Sequence, residues 1–280
     1  MIASSKIRIE KACYAFSISK PSYYRWKNQN DAPDTDKKLR CIMQKIASGF
    51  PKYGYRRMTK ELHRRELHVN HKKVLSIMRE ENLIIKKKKF KPVTTQSNHG
   101  LPKYPNLVKD LTVTGINQAW VSDITFIHLL FEFVYLAVIM DLFSRRCIGW
   151  AISRNPDSEL ALHALNMAIK LRGAKNVNGC IHHSDQGVQY AARDYIKKLE
   201  EVGMKPSMGE VGNSYENAFA ESFIKTIKCE EVYMNEYETI EDVRCNIKRF
   251  IEKVYNKKRL HSRIGYKPPV EFEQEVLNIS

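Results

Sequence analysis

Three acidic residues stand out because their types and spacing suit metal-dependent chemistry. Asp123 lies in WVSDIT (120–125), Asp185 in HHSDQG (182–187) and Glu221 in ENAFAESF (216–223), and thirty-five residues separate the second acid from the third. We expect Asp123 and Asp185 at strand ends and Glu221 on a helix, so that three elements bring carboxylates to one point. Oxygen ligands of this kind suit a pair of Mg²⁺ ions, and such ion pairs promote the cutting and rejoining of phosphodiesters.

Each acid also has an ordinary structural explanation. Asp123 is compatible with an exposed strand edge, and Asp185 with a turn. Glu221 is compatible with a solvent-facing pair four residues before Lys225. Asp141, at the end of the next predicted strand, competes for a metal role, although we interpret it as a turn or cap residue. No single residue therefore decides the question.

The helix predicted around Glu221 has two distinct faces at 100° per residue. One face is an apolar stripe predicted to pack on the core: Phe219, Phe223 and Ile227. The opposite face carries Glu221 together with Lys225 and Lys228. On that face a carboxylate can bind a cation while the lysines contact DNA phosphates.

Composition restricts the class of protein. The 280 residues are 43% hydrophobic, which suits a folded protein of one large or two modest domains. No apolar run approaches the roughly 20 residues that a bilayer span needs, and residues 1–10 lack a signal-peptide core. We therefore expect a cytoplasmic protein. Its six scattered cysteines predict reduced thiols, and the close spacing of His63, His68 and His71 lacks the paired ligands of a structural zinc site.

Charge is distributed very unevenly along the chain. Residues 1–100 hold 24 Lys and Arg against 8 acids, whereas residues 101–280 hold 23 of each, so the net charge of +16 belongs to the first third. Solubility alone does not require such a partition, but a module that binds a polyanion does. We predict a nucleic acid as the partner, and no membrane.

The first third predicts short helices joined by tight turns. Met58 and Leu62 share one helical face, and Asn70 is well placed to cap a following helix. This pattern predicts a helix-turn-helix within a basic region spanning residues 1–85, and its alternative is an ordinary helical hairpin with a solvated basic face. The predicted DNA contacts of this region are Arg56, Arg57, Lys72 and Lys73.

The pattern of the remaining residues, 86–280, predicts an α/β domain. A lysine- and proline-containing stretch, residues 86–110, indicates a charged flexible linker. Beyond it, residues 111–235 predict three strands in a meander, at 120–129, 132–141 and 146–153, followed by alternating helices and short strands, with helices at 158–171 and 190–202. Residues 236–280 predict a C-terminal helix, at 240–254, and a basic tail. The nine Lys or Arg against one acid in residues 244–267 suggest that this tail also holds DNA.

Six blocks in order along the chain carry a resemblance to a known family: KYGYRR (52–57), WVSDIT (120–125), MDLFSR (140–145), HSDQGVQY (183–190), ENAFAESF (216–223) and YNKKRLHSRIGYKPP (255–269). Together they resemble the OrfB-type transposases of bacterial insertion sequences, whose catalytic core is similar to that of retroviral integrases. The resemblance covers nearly the whole chain.

The resemblance implies an RNase H-like core, with a mixed five-stranded sheet and flanking helices, behind a helix-turn-helix region. It implies that Asp123, Asp185 and Glu221 bind two Mg²⁺ or Mn²⁺ ions, and that Lys228 contacts DNA. The implied reaction is DNA strand cleavage and strand transfer at element ends by a DDE-type enzyme, acting as a multimer on DNA. Glu216 departs from the aspartate usual in the family, and we expect reduced or unchanged activity from it.

Two other functions share these features. A host nuclease on the same core hydrolyses DNA without strand transfer, and a DNA-binding regulator has lost the chemistry, which the three intact acids disfavour. The sequence does not identify the terminal repeat or the target. It also leaves open whether the product acts alone or fused to an upstream reading-frame product.

Overall fold

The computed structural model describes residues 9–31, 36–84, 102–209 and 218–279, of which 26–31 and 279 are described by backbone only. Glu216 and residues 86–101 of the predicted linker lie outside the described residues. Within those four ranges, no helix is long and apolar enough to cross a membrane.

The N-terminal region is helical, as predicted. Its helices are α1 (Ile9–Ala15), α2 (Lys20–Asp31), α3 (Lys37–Gly49), α4 (Tyr55–Arg64) and α5 (His71–Glu80). Asn70 caps α5 as predicted, because its side-chain oxygen accepts the backbone N–H of Lys72 at 2.8 Å. Met58 and Leu62 on α4 are fully buried against apolar residues of α3 and α5. These two helices with their short turn confirm the predicted helical pair.

A mixed five-stranded sheet forms the centre of the molecule, as predicted. Its strands are β1 (Ala119–His128), β2 (Phe133–Asp141), β3 (Cys147–Ser153), β4 (Ile181–Ser184) and β5 (Lys205–Met208). They are ordered β3-β2-β1-β4-β5, with antiparallel pairing among the first three and parallel pairing of β1 with β4 and of β4 with β5. The long strands are rich in β-branched and aromatic residues, which suit a pleated, half-buried surface.

The sheet opens beside β1. Only Ala119, Trp120 and Val121 of that strand pair with β4, whereas β1 is paired with β2 from Trp120 to His128. Asp123 therefore lies in the middle of β1, not at a strand end as expected. It nevertheless occupies the place where the parallel pairing stops and the two strands diverge.

Helices cover both faces of the sheet. Successive side chains of β1 point to opposite faces, so neighbouring residues pack against different helices. Trp120 packs on one side with α6 (Ser158–Arg172), α7 (Val188–Ala191) and α8 (Arg193–Glu201). Val121 packs on the other with α9 (Ala218–Glu230) and α10 (Ile240–Arg249). The single helix predicted for residues 190–202 is instead two, since Ala192 has an extended ψ of 139°.

A glycine permits the close approach of β3 and α6. A Cβ atom on Gly149 would lie 2.2 Å from the carbonyl oxygen of Ala164 and 2.9 Å from the Cβ of Ala168. We expect Gly149→Ala to lower the free energy of unfolding by about 3 kcal/mol, because a backbone contact cannot relax by a rotamer change. Urea denaturation measures this loss.

Gly49→Ala is the matched control, because a Cβ atom there meets nothing within 4 Å. Its free energy of unfolding should change by less than about 1 kcal/mol. Equal stability of the two variants would contradict the packing explanation.

The C-terminal segment joins the N-terminal helices to the sheet domain. After α10 the chain continues as a π-helical turn, Phe250–Tyr255, and it ends in α11 (Pro269–Ile279). Between them, Leu260 is fully buried in the core of the N-terminal helices, and its N–H donates to the Tyr53 hydroxyl at 2.8 Å. The predicted basic tail is therefore also a structural part of the N-terminal domain.

Candidate active site

The three predicted acids come from three different elements. Asp123 is half-buried in the middle of β1, and Asp185 is half-buried as the first residue after β4. Glu221 is exposed in the first turn of α9, a helix that packs against β1. Asp185 at the end of β4 and Glu221 on α9 lie where we expected them, whereas Asp123 lies in the middle of a strand and not at its end.

The charges of Asp185 and Glu221 both act on Asp123. The pKa of Asp123 is raised from 3.8 to about 8, first by burial and next by the negative charge of Asp185. The negative charge of Glu221 contributes to the same rise. The backbone N–H of Ile124 and the ammonium of Lys228 act in the opposite direction but do not cancel the rise. A negatively charged region therefore surrounds Asp123.

This arrangement is a shared negative region and not a closed ligand cage. Among the described residues, no three His, Cys, Asp or Glu side chains stand close enough together to hold one metal ion. Three carboxylates repel one another in the absence of a cation. Their oxygen donors and uncompensated charge nevertheless fit a hard divalent cation such as Mg²⁺, which binds carboxylates and lowers this repulsion.

The loop after β4 fixes Asp185. Its Oδ1 accepts the backbone N–H of Gly187 at 3.0 Å, and a Cβ on Gly187 would lie 2.9 Å from that same oxygen. Below it, His183 Nδ1 lies 2.9 Å from Ser207 Oγ, which ties β4 to β5. Asp185 therefore has the turn role described above, and its negative charge also acts on Asp123.

The side chains of α9 lie on the two faces predicted for this helix, with one difference. Phe223 and Ile227 are buried, while Glu221 and Lys225 are exposed. Lys228 is half-buried, with its Nζ 4.4 Å from the centre of the Phe126 ring. Its pKa is lowered by burial, a shift that Asp123 opposes.

Phe126 is a residue that the sequence pattern did not identify. It lies on the part of β1 that is not paired with β4. Its side chain is exposed, and Lys228 contacts the ring. A cation–π contact of this kind holds an ammonium in place without neutralising it. In the sequence, Phe126 could have been identified by its position, because it is an aromatic residue three positions after Asp123.

Asp141 has the turn role that we assigned to it. It is fully buried, and its Oδ1 accepts the backbone N–H groups of Phe143 and Ser144 at 3.0 and 2.9 Å. Its Oδ2 accepts the N–H of Asn117 at 2.8 Å. With both oxygens occupied by backbone donors, Asp141 stabilises the turn after β2 and does not compete for metal.

The basic residues predicted in the N-terminal region have different surroundings. Arg56 and Lys72 are exposed, and Lys73 is exposed but forms an ion pair with Asp36 at 2.7 Å. Arg57 is half-buried, and its pKa is lowered by burial and by the nearby Arg259. Arg56, Lys72 and Lys73 are therefore placed to meet a ligand from solvent, whereas Arg57 faces the C-terminal tail.

Family models match three parts of the chain. Two models described as integrase core domain match residues 114–214 and 202–269, and a model described as HTH-like domain matches residues 33–90. Among curated relatives, the transposase InsF of insertion sequence IS3A from Escherichia coli K12 is 32% identical, covering 98% of this chain and 96% of its own. The IS600 31 kDa protein of Shigella sonnei is 35% identical, over 94% and 97%.

The chain belongs to the IS3-family transposases. DNA transposition is thus the reaction of this enzyme, its core is the RNase H-like integrase core, and its N-terminal helices include the HTH-like domain. The predicted family, fold class and DDE-type activity are confirmed. The chain is related to transposases along nearly its whole length, and this disfavours a host nuclease or an inactive regulator.

Solved structures of viral integrases are similar to the transposase at lower identity. The simian T-cell lymphotropic virus intasome matches with a TM-score of 0.48 and 16% identity, covering 82% of this chain and 74% of that chain. The catalytic core of BIV integrase matches with 0.44 and 19%, over 58% and 97%. The HTLV-2 integrase core, solved in complex with magnesium, matches with 0.42 and 14%, over 56% and 96%.

Proposed function

We propose that the transposase cleaves DNA at the ends of its element and transfers the freed strand, using divalent metal bound by Asp123, Asp185 and Glu221. The observation that carries this proposal is the raised pKa of Asp123, which has Asp185 and Glu221 among its causes. Carboxylates that repel one another at the point where a sheet opens are well suited to a cation. The oxygen donor set favours Mg²⁺ or Mn²⁺, and we propose two ions.

The two steps of the reaction need no covalent protein intermediate. In the first, a water oxygen attacks the phosphorus at the element end and the 3′-oxygen leaves as a hydroxyl. In the second, that 3′-hydroxyl attacks a target phosphodiester, and the target strand leaves with a 3′-hydroxyl of its own. When bound, the metal activates the attacking oxygen and stabilises charge on the leaving oxygen.

The chain's own residues bind and orient the substrate. Gly187 holds Asp185 through its backbone N–H, which limits the rotation of this carboxylate. Lys228 carries a positive charge beside Asp123, where it attracts a phosphate oxygen. Exposed Lys225 lies on the same helix and extends the basic surface along the DNA.

DNA binding beyond the active site is assigned to the basic N-terminal region. We propose that exposed Arg56, Lys72 and Lys73 contact the element end, and that the half-buried Arg57 has a smaller share. The proposed domain division is 1–85, 86–110, 111–235 and 236–280. Two element ends must be brought together, so we propose a homo-multimer on DNA in the cytoplasm at the nucleoid, with a possible upstream reading-frame partner.

One assay separates the candidate functions. A labelled duplex carrying the element end is incubated with the protein, Mg²⁺ and target DNA. Joined product supports strand transfer, whereas cleavage without joining indicates a nuclease. Binding without either product indicates a regulator and overturns the proposed chemistry.

Metal binding should also be visible in stability. Ionised Asp123 costs free energy in the metal-free fold, because its pKa is about 8 when folded against 3.8 ordinarily. This cost is absent below pH 4, grows between pH 4 and 8 and is complete above that. Asp123→Asn should stabilise the metal-free protein at pH 8 by about 1–2 kcal/mol, a figure reduced because the side chain is only half-buried. Thermal unfolding with EDTA measures this gain.

Mg²⁺ provides the second part of that test. It should raise the melting temperature of the unmodified protein and leave that of Asp123→Asn nearly unchanged. Asp157→Asn is the matched control, since this exposed residue caps α6 and asparagine caps a helix about as well. An equal response to Mg²⁺ in all three proteins would contradict metal binding at Asp123.

A further inference from the structure

Two arginines share one aromatic ring close to the active site. The guanidinium carbon of Arg145 lies 3.8 Å from the centre of the Phe219 ring, and that of Arg263 lies 5.5 Å from the same centre. Arg145 belongs to the turn between β2 and β3, Arg263 to the C-terminal tail and Phe219 to α9. We call these three residues the arginine cleft.

The charge of the arginine cleft is not compensated within the described residues. Neither Arg145 nor Arg263 has an ion pair there, in contrast to Arg259, which forms a two-bond pair with Glu230 at 2.7 and 2.8 Å. The pKa of Arg145 falls to about 10, mainly through burial and also through the positive charge of Arg263. Two repelling cations, one of them half-buried, are an unfavourable arrangement unless an anion binds between them.

Further arginines lie near the cleft. The pKa of His261 is lowered to about 2, mainly by burial and also by the charges of Arg259, Arg57 and Arg145. His261 is therefore neutral at physiological pH, and it adds no charge of either sign. The excess of arginine remains, and exposed Arg263 opens the cleft to solvent.

The position of the cleft indicates which anion it takes. Phe219 precedes Glu221 by two residues in the first turn of α9, so the two side chains lie on opposite faces of a helix about 10 Å across. Successive phosphates of one DNA strand rise by about 3.4 Å along the helix axis, so a strand whose scissile bond lies at the acids passes the cleft within a few nucleotides. Arginine binds phosphate oxygens in a forked, directional manner, which suits this task.

We propose that Arg145 and Arg263, held on the Phe219 ring, bind a backbone phosphate of the DNA strand a few nucleotides from the scissile bond. The choice of DNA as ligand rests on the proposed function. Packing alone explains one arginine on an aromatic ring, but it gives no reason for a second cation on the same ring. A phosphate satisfies both guanidinium groups and fixes the strand relative to Glu221.

Salt dependence of binding tests the proposal without chemistry. Fluorescence anisotropy with EDTA measures the affinity for a duplex carrying the element end and for an arbitrary duplex of equal length, over a range of KCl. Losing one phosphate contact lowers the slope of log affinity against log salt by about 0.9. The R145Q/R263Q protein should show this drop on both duplexes, because phosphate contacts carry no sequence information.

R154Q is the matched control for R263Q, since Arg154 is also exposed, is paired with Glu132, and its replacement likewise removes one positive charge. Its slope should equal that of the unmodified protein. If the double variant unfolds, R263Q alone carries the test, because this side chain is exposed. An unchanged slope in the folded variant overturns the proposal.

The position of this phosphate contact along the DNA strand can be found with methylphosphonate, an uncharged analogue of the backbone phosphate. Methylphosphonate replaces single phosphates, one position at a time, along the strand near the element end. The unmodified protein should lose affinity at one position within a few nucleotides of the scissile bond, and R263Q should be insensitive there. Equal sensitivity of the two proteins at every position overturns the proposal. Strand joining is scored separately, so a mapped contact without joining counts against the proposed function and not against the cleft.

Discussion

Asp185→Asn is expected to reduce strand joining at least 10³-fold, a barrier increase of about 4 kcal/mol at 1.36 kcal/mol per tenfold. Asparagine keeps the shape of the side chain but supplies only one oxygen and no charge, so it is a weak ligand for a hard cation. The remaining oxygen can still accept the N–H of Gly187, which should leave the loop after β4 in place. Loss of chemistry and preservation of the fold are therefore expected together.

Two readouts make this prediction specific. Joined product is quantified by gel with labelled element ends, and binding of the same DNA is measured by anisotropy in EDTA. Binding should stay within about threefold, because the basic N-terminal region is untouched and small changes in one surface charge are worth under 1 kcal/mol. Asp157→Asn, with the same loss of charge at the start of α6, should retain joining. Joining by Asp185→Asn at the unmodified rate would remove Asp185 from the proposed metal site.

Glu273→Gln is expected to cause the largest loss of stability, about 3–5 kcal/mol. Glu273 on α11 is almost fully buried, and its carboxylate binds Arg172, Arg146 at 2.6 Å and the Ser144 hydroxyl at 2.6 Å. Glutamine leaves Arg146 without the counter-charge of Glu273, and it leaves the buried side chain of Arg172 with the more distant Asp141, at 3.7 Å. At 2–4 °C per kcal/mol the melting temperature should fall by roughly 10 °C.

Acid titration gives this prediction a second readout. Burial by itself raises the pKa of Glu273, but the hydrogen bond and charge of Arg172 outweigh it, so the net pKa is below 4.5. A lowered pKa means that the ionised carboxylate stabilises the fold above pH 4.5 and that this stability is lost as pH falls further. The unmodified protein should lose stability in that acid window, and Glu273→Gln should lose less.

Glu275→Gln is the control on the same helix. Glu275 pairs with Lys267, and both side chains are substantially exposed, so its loss should cost less than about 1 kcal/mol. Thermal unfolding followed by circular dichroism measures all three proteins. A Glu273→Gln protein as stable as the Glu275→Gln protein would show that the buried network contributes little.

Local pattern predicted much of the secondary structure. The density of Val, Ile, Phe and Tyr predicted β1 and β2 within one residue of their observed starts, and the helix beginning at Ser158 ends one residue beyond its predicted end. Asn70 was identified as a cap from its place before an apolar run. These features depend on neighbours within a few residues, which is why sequence periodicity detects them.

Contacts between distant segments were not predictable in this way. Tyr53 and Leu260 are 207 residues apart, yet their hydrogen bond joins the N-terminal helices to the C-terminal tail. Arg57 was predicted as a DNA contact from its place in a basic motif, but the tail turns it into a half-buried residue beside Arg259. No local pattern records which surface a later segment will cover.

The sequence by itself determined the three acids, their motifs and the family to which the transposase belongs, because residue types and spacing are carried along the chain. Only the tertiary structure decided that the negative charges of Asp185 and Glu221 act on Asp123, since the opening of β1 from β4 and the packing of α9 bring them together. It also placed Lys228 on Phe126 and two arginines on Phe219. Electrostatic interaction depends on distance and burial, and both are properties of the folded chain.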